Sequence, residues 1–159
     1  SGRDLQKRAK HGPFVVCVDT SASMEGEREL LSKAVVLSLA LIADKLRRPC
    51  RVILFSDQTE VIELNNLYSD LETFLCNSFH GGSDMTCAMK ESVETLMRED
   101  FRYADLLWLS DFEMDPLPPM WVQYVEELKQ RGMRLYAVSF GHRSETSYLR
   151  LADRVWTAD

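Results

Sequence analysis

The stretch that decides the fold is GPFVVCVDTSAS, residues 12–23. It contains an uninterrupted apolar run over residues 14–18, with no alternation of polar and apolar side chains. Such a run is typical of a central strand that is covered on both faces. The sequence then changes at Asp19 to short polar residues, which end the strand. This stretch therefore predicts a central sheet strand with a polar loop at its carboxyl end.

Helical and extended patterns alternate along the rest of the chain. Residues 27–46 are apolar on more than one helical face, which predicts a long and largely buried helix that ends before Pro49. Further helices are predicted over residues 67–76, 86–99, 121–130 and 145–151. Further strands are predicted over residues 51–55, 58–64, 106–109, 135–140 and 154–156, and Trp108 and Trp156 are predicted to lie in the core. The short link at residues 56–57 favours a hairpin, and hence one antiparallel pair of strands.

The order of these elements predicts an α/β domain. We expect a Rossmann-like, doubly wound, mostly parallel sheet with one antiparallel strand and helices on both faces. The 159 residues fit one domain. We place it at residues 13–159, after a basic linker or tag remnant at residues 1–12. Ser1-Gly2 without an initiator Met is typical of a cleaved tag, so we expect a piece of a longer protein.

Composition and charge exclude several classes of partner. The formal net charge is -6, from 19 Lys and Arg against 25 Asp and Glu, which argues against nucleic acid or an anionic membrane. The longest apolar run, residues 34–43, is too short to span a bilayer. No CxxC spacing occurs, so disulfides and a zinc site are not expected, and a reducing, cytoplasmic compartment fits best. The four cysteines are Cys17, Cys50, Cys76 and Cys87.

Oxygen-bearing side chains follow two predicted strands and precede one predicted helix. Asp19, Ser21 and Ser23 follow the first strand, Asp111 follows the strand at 106–109, and Ser83 lies in a glycine-rich loop before a helix. Ligands of open parallel sheets bind beyond the carboxyl ends of the strands, so these segments are expected to converge. Carboxylates and hydroxyls are hard ligands that suit Mg²⁺ or Mn²⁺. The pattern therefore predicts a site for one such cation.

Three short motifs resemble those of von Willebrand factor A (VWA) domains. Asp19-Thr-Ser21-Ala-Ser23 resembles their DxSxS motif, Gly81-Gly82-Ser83-Asp84 their Gly-Gly-Thr element, and Ser110-Asp111-Phe112 their aspartate after the fourth strand. Together these form the metal-ion-dependent adhesion site (MIDAS) of that family. The resemblance covers residues 13–157 and implies the VWA fold. The wording of the motifs is similar to the intracellular bacterial branch typified by ViaA and CoxE-like proteins.

The resemblance implies a metal-dependent protein–protein interaction module. It implies that Ser21 and Ser23 coordinate the metal directly, that Asp19 acts through water, and that Asp111 binds directly or through water. Ser83 stands where the family has Thr, and Thr86 is the alternative if the loop register differs. A partner would donate an Asp or Glu to the metal. In this branch the partner is a MoxR-type AAA+ ATPase.

Other interpretations remain open at this point. An Asp after the first strand also occurs in haloacid-dehalogenase-type phosphatases as DxD, but here the second position is Ser21. The sequence has no GxSxG elbow, Walker A loop or GxGxxG motif, so no enzyme is expected. Each polar residue alone could simply cap a helix, as Asp84 could before Thr86. A structural VWA domain with an inactive metal site is the remaining alternative.

Overall fold

The first strand, β1 (Phe14–Asp19), lies inside a six-stranded sheet. The structure is a computed structural model that describes residues 12–64, 67–76, 79, 84–98, 103–141 and 146–158. The other strands are β2 (Cys50–Phe55), β3 (Thr59–Glu63), β4 (Asp105–Ser110), β5 (Arg134–Phe140) and β6 (Arg154–Ala158). All six predicted strands are therefore present, each within a few residues of its expected bounds.

The strands follow the order β3-β2-β1-β4-β5-β6 across the sheet. Val16 of β1 pairs with Val52 on one side and with Leu107 on the other, both in parallel register. Only the β2–β3 pair is antiparallel among the described strands, and Ser56 N donates to Gln58 O at 3.0 Å in its turn. The predicted hairpin and the predicted fold class are confirmed.

Five helices and one short 3₁₀ turn connect the strands in the described part of the chain. The turn Ala22–Met24 follows β1 directly. The helices are α1 (Glu27–Leu46), α2 (Leu67–Cys76), α3 (Met85–Arg98), α4 (Pro119–Gln130) and α5 (Ser147–Leu151). None of them is long and apolar enough to cross a bilayer.

Alternate residues of β1 enter two separate cores, one on each face of the sheet. Val15 and Cys17 belong to the core formed with α3, α4 and α5. Val16 and Val18 belong to the core formed with α1 and α2. Because successive side chains of a strand point to opposite faces, the unbroken apolar run serves both cores. The doubly wound arrangement follows from this.

The prediction that α1 is largely buried is wrong. It packs on the sheet through Ser32, Val36, Ala40 and Ala43, while Leu30 and Leu41 are 67% and 53% exposed. Beside α1, a groove of about 310 Å³ runs over β4 and β5, with walls that include Leu39, Leu107, Tyr136 and Trp156. Trp156 is 43% exposed, so its predicted place in the core is also wrong. Apolar composition alone therefore does not predict which face of a helix or sheet is buried.

Candidate metal centre

Asp19 ends β1 and is fully buried beneath the polar loop. Its Oδ1 accepts a hydrogen bond from Ser21 N at 2.9 Å, and its Oδ2 accepts one from the Ser110 hydroxyl at 2.7 Å. Ser110 ends the neighbouring strand β4, so the parallel pairing of β1 and β4 brings the two residues together. Asp19 is therefore held from both sides at the carboxyl end of β1.

Burial raises the pKa of Asp19 from 3.8 to about 6. Hydrogen bonds from Ser21 and Ser110 oppose this increase, and the nearby charge of Asp111 adds to it. Desolvation is the largest contribution, as expected for a carboxylate removed from water. The group is thus mostly ionised at pH 7, but at a cost in free energy that a cation would offset.

Ser21 and Ser23 lie next to Asp19 because the chain curls into the 3₁₀ turn directly after Ser21. Met24 N donates to Ser21 O at 2.9 Å, and the fully buried Met24 side chain anchors the turn in the core. The Ser21 and Ser23 hydroxyl oxygens are 3.0 Å apart. The alternating spacing of the motif therefore places both hydroxyls on the same side of the loop.

Asp111 closes the site from the loop after β4. Its Oδ2 accepts a hydrogen bond from the Ser23 hydroxyl at 2.5 Å, and its Oδ1 accepts one from Glu113 N at 3.0 Å. The side chain is buried, like that of Asp19. The hydroxyls of Ser21 and Ser23 thus form a continuous row of oxygens that ends at the Asp111 carboxylate.

An aromatic cluster holds the loop that carries Asp111. The ring centroid of Phe112 lies 6.4 Å from that of Trp108 and 5.8 Å from that of Tyr148. Phe112 has a φ of 56°, a left-handed conformation that is rare for a bulky residue and needs support from its surroundings. Tyr148 Oη also donates to Asp115 O at 2.8 Å. Packing from α5 therefore fixes the path of the loop beyond β4.

Two residues contribute to the site that were not predicted from the sequence. The Ser110 hydroxyl donates to Asp19 and accepts from Phe112 N at 2.9 Å, so it joins the two loops. Arg28 Nη1 donates to Ser23 O at 3.2 Å and lies 3.7 Å from Asp111 Oδ2. Ser110 belongs to the Ser110-Asp111-Phe112 motif, whereas no pattern in the sequence indicates Arg28.

The remaining candidate residues belong to the segment before α3. Ser83, predicted to complete the site, lies outside the described residues. Its alternative, Thr86, accepts a hydrogen bond on Oγ1 from Asp115 N at 3.3 Å. Asp84 Oδ1 accepts from Cys87 N at 3.4 Å, which is the capping contact expected at the start of α3. The structure therefore brings together four of the five predicted residues: Asp19, Ser21, Ser23 and Asp111.

The spacing of these oxygens fits a small divalent cation. Ligands about 2.1 Å from an octahedral Mg²⁺ lie about 3 Å from each other. The row from Asp111 through Ser23 to Ser21 has separations of 2.5 and 3.0 Å. Within the described ranges, no group of three or more His, Cys, Asp or Glu side chains could hold a metal. A metal at this edge would therefore depend on the hydroxyls as well as on two carboxylates.

Comparison with known proteins gives the family. Residues 3–148 match the family described as "VWA domain containing CoxE-like protein". The chain belongs to this family. The resemblance to VWA domains is thereby confirmed, and the order of the described strands, with one antiparallel pair among them, agrees with the VWA fold.

Individual relatives agree with this assignment. The regulatory protein ViaA of Proteus mirabilis is 33% identical over 160 residues, which cover 98% of this VWA chain and 33% of that protein. The chain thus spans about one third of the length of this relative.

Solved structures show the same fold. BatB from Bacteroides thetaiotaomicron has a TM-score of 0.64 at 12% identity, over 93% of this chain and 90% of that one. Proximal thread matrix protein 1 from the mussel byssus, described with zinc in its MIDAS motif, has a TM-score of 0.68 at 15% identity. The match covers 94% of this chain and 44% of that one.

Proposed function

We propose that this VWA domain is a metal-dependent protein-interaction module that holds one Mg²⁺ or Mn²⁺ through Asp19, Ser21, Ser23, Ser83 and Asp111. The observation that carries the proposal is the row of oxygens from Ser21 through Ser23 to Asp111, with separations of 3.0 and 2.5 Å. When bound, the metal supplies an open coordination position for a carboxylate of a partner protein.

The chain's own residues divide the work of binding. Ser21 and Ser23 present hydroxyl oxygens from a turn that is already curled, so little ordering is needed when a cation enters. Asp19 uses both carboxylate oxygens to hold Ser21 N and the Ser110 hydroxyl, which suits an anchoring role through water rather than a direct bond. Asp111 supplies the outer carboxylate. The resemblance to VWA domains assigns the fifth position to Ser83, with Thr86 as the alternative.

Binding rather than catalysis is the proposed activity. The Ser23 hydroxyl donates a hydrogen bond to Asp111 Oδ2 at 2.5 Å, and the Ser110 hydroxyl donates one to Asp19 Oδ2 at 2.7 Å. These hydrogen bonds engage one oxygen of each carboxylate within the site, which favours a role in binding over a role as a general base. An interaction role also agrees with the similarity to ViaA, which is named a regulatory protein.

For the partner, we propose a MoxR-type AAA+ ATPase in the bacterial cytoplasm, as the resemblance to the ViaA and CoxE-like branch implies. An Asp or Glu of that partner would complete the coordination of the metal. The alternatives, a phosphohydrolase and a structural domain with an inactive site, predict respectively turnover of phosphate esters and no metal binding.

Calorimetry with Mn²⁺ tests the metal site. Ser23→Ala removes one proposed ligand on an exposed residue, so we expect the affinity for Mn²⁺ to fall about tenfold or more. Ser38→Ala is the matched control, because Ser38 is an exposed serine whose hydroxyl donates to Ala34 O within α1. Equal affinity in wild type and Ser23→Ala, with both folded by circular dichroism, would contradict the proposal.

A further inference from the structure

Arg28 places a cation beside the proposed metal site. It is the second residue of α1, and its Nη1 donates to Ser23 O at 3.2 Å. The same atom lies 3.7 Å from Asp111 Oδ2. The Arg28 side chain is 27% exposed, whereas that of Asp111 is 1% exposed. The guanidinium beside the buried carboxylate is therefore the more accessible of the two groups to an approaching partner.

Arg28 changes the net charge of the metal-loaded site. Asp19 and Asp111 together bring two negative charges, which a divalent cation cancels, and the hydroxyls of Ser21 and Ser23 are neutral. A loaded site of these residues alone would thus have no net charge. Arg28 adds one positive charge beside it. With Arg28, the loaded site attracts an anion more strongly than the metal position alone would.

We propose that Arg28 is the specificity-determining residue of this site, selecting a carboxylate as the partner's ligand. The inference rests on the metal site proposed above. The guanidinium opposes entry of the metal, because like charges repel, and it favours a carboxylate bound to that metal. These two effects have opposite signs. A residue with a purely structural role would change both affinities in the same direction or neither.

The test measures both affinities on the same proteins at low salt, where screening is weak. Mn²⁺ binding is measured by calorimetry, and acetate binding to the Mn²⁺-loaded domain is measured by water-proton relaxation. For Arg28→Ala we expect Mn²⁺ to bind about threefold more tightly or better, and acetate to bind about threefold more weakly or worse. Arg28→Lys keeps the charge, so both affinities should return toward the wild-type values.

Lys33→Ala provides the matched control. Lys33 is a second cation of α1, five residues further along, and pairs with Glu29 at 3.4 Å. Its removal should leave both affinities close to those of the wild type. If wild type binds Mn²⁺ while Arg28→Ala changes neither affinity, or changes both in one direction, this inference is wrong and the metal site stands. A wild type that binds no Mn²⁺ overturns the proposed function, and this inference with it.

Discussion

Asp19 is a buried carboxylate with an acidic neighbour, an arrangement that folded proteins tolerate when hydrogen bonds or a cation compensate it. Here two hydrogen bonds, from Ser21 N and the Ser110 hydroxyl, supply part of that compensation. The pKa of Asp19 is nevertheless raised to about 6, which shows that burial outweighs them. Ionised Asp19 is thus energetically unfavourable without a cation, at the position where the proposed metal binds.

The raised pKa of Asp19 predicts that the stability of the metal-free protein depends on pH. Burial raises the pKa of Asp19 from 3.8 to about 6, so between these values the folded protein holds a proton that the unfolded chain has released. The contribution of Asp19 to the free energy of unfolding is therefore greatest below the lower value and falls as pH rises through about 6. The fall amounts to up to about 3 kcal/mol.

Urea unfolding in EDTA at about pH 4 and about pH 7 measures this effect. We expect wild type to lose stability relative to Asp19→Asn over that interval, because the amide does not ionise. Asp57→Asn, a change at an exposed aspartate, controls for the loss of a surface carboxylate. A difference between wild type and Asp19→Asn that stays constant with pH would show that Asp19 is not perturbed.

At the scale of elements, the loop after β4 connects the aromatic cluster to the proposed site. Phe112 directly follows Asp111, and its left-handed backbone turns the chain so that its ring packs against Trp108 and Tyr148. The position of the Asp111 carboxylate therefore depends on the packing of α5. A substitution on α5, outside the proposed ligand set, should therefore alter how firmly the loop that carries Asp111 is held.

Tyr148→Phe isolates this connection, because it keeps the ring and removes only the hydroxyl that donates to Asp115 O at 2.8 Å. We expect the free energy of unfolding to fall by about 1 kcal/mol, the usual value of one such hydrogen bond. Tyr124→Phe, on a half-buried tyrosine that packs edge-on against Trp121, is the matched control. Chemical denaturation of both variants decides, and equal stability of the two would show that this hydrogen bond does not help to hold the loop after β4.

The elements themselves could largely be predicted from the sequence. The bounds of α1 and α2 match the expectation, and the short turn correctly predicted the antiparallel hairpin of β2 and β3. The surroundings of those elements could not be predicted. Residues 27–46 are apolar on several faces, yet Leu30 and Leu41 are exposed, because periodicity describes a helix and not its neighbours.

The candidate site, too, could be predicted from the sequence only in part. Asp19, Ser21 and Ser23 lie within five residues, so their spacing alone could indicate a shared role. The contact between Ser110 and Asp19 joins residues 91 positions apart and exists only because β1 and β4 pair in parallel. The placement of Arg28 depends on where α1 begins after the 3₁₀ turn. Long-range contacts of this kind leave no local pattern in the sequence.

At the scale of the whole molecule, the proposed metal site and the apolar groove lie in different parts of the sheet. The metal ligands follow the carboxyl ends of β1 and β4, whereas the groove crosses the sheet face beside α1 and includes Leu39 and Tyr136. The groove is thus a second surface that the proposed metal ligands do not line. Metal-dependent and metal-independent binding are therefore separable by experiment.

The proposed partnership with a MoxR-type AAA+ ATPase can be tested on this basis by co-precipitation. If the metal bridges the two proteins, the cognate ATPase is captured in Mg²⁺ and lost in EDTA, because removal of the cation leaves Asp19 and Asp111 to repel a partner carboxylate. Ser23→Ala should reduce capture about tenfold or more, as expected for loss of a ligand, while Ser38→Ala captures like wild type. Capture that resists both EDTA and Ser23→Ala would place the contact on another surface, since the metal edge would then contribute nothing to binding.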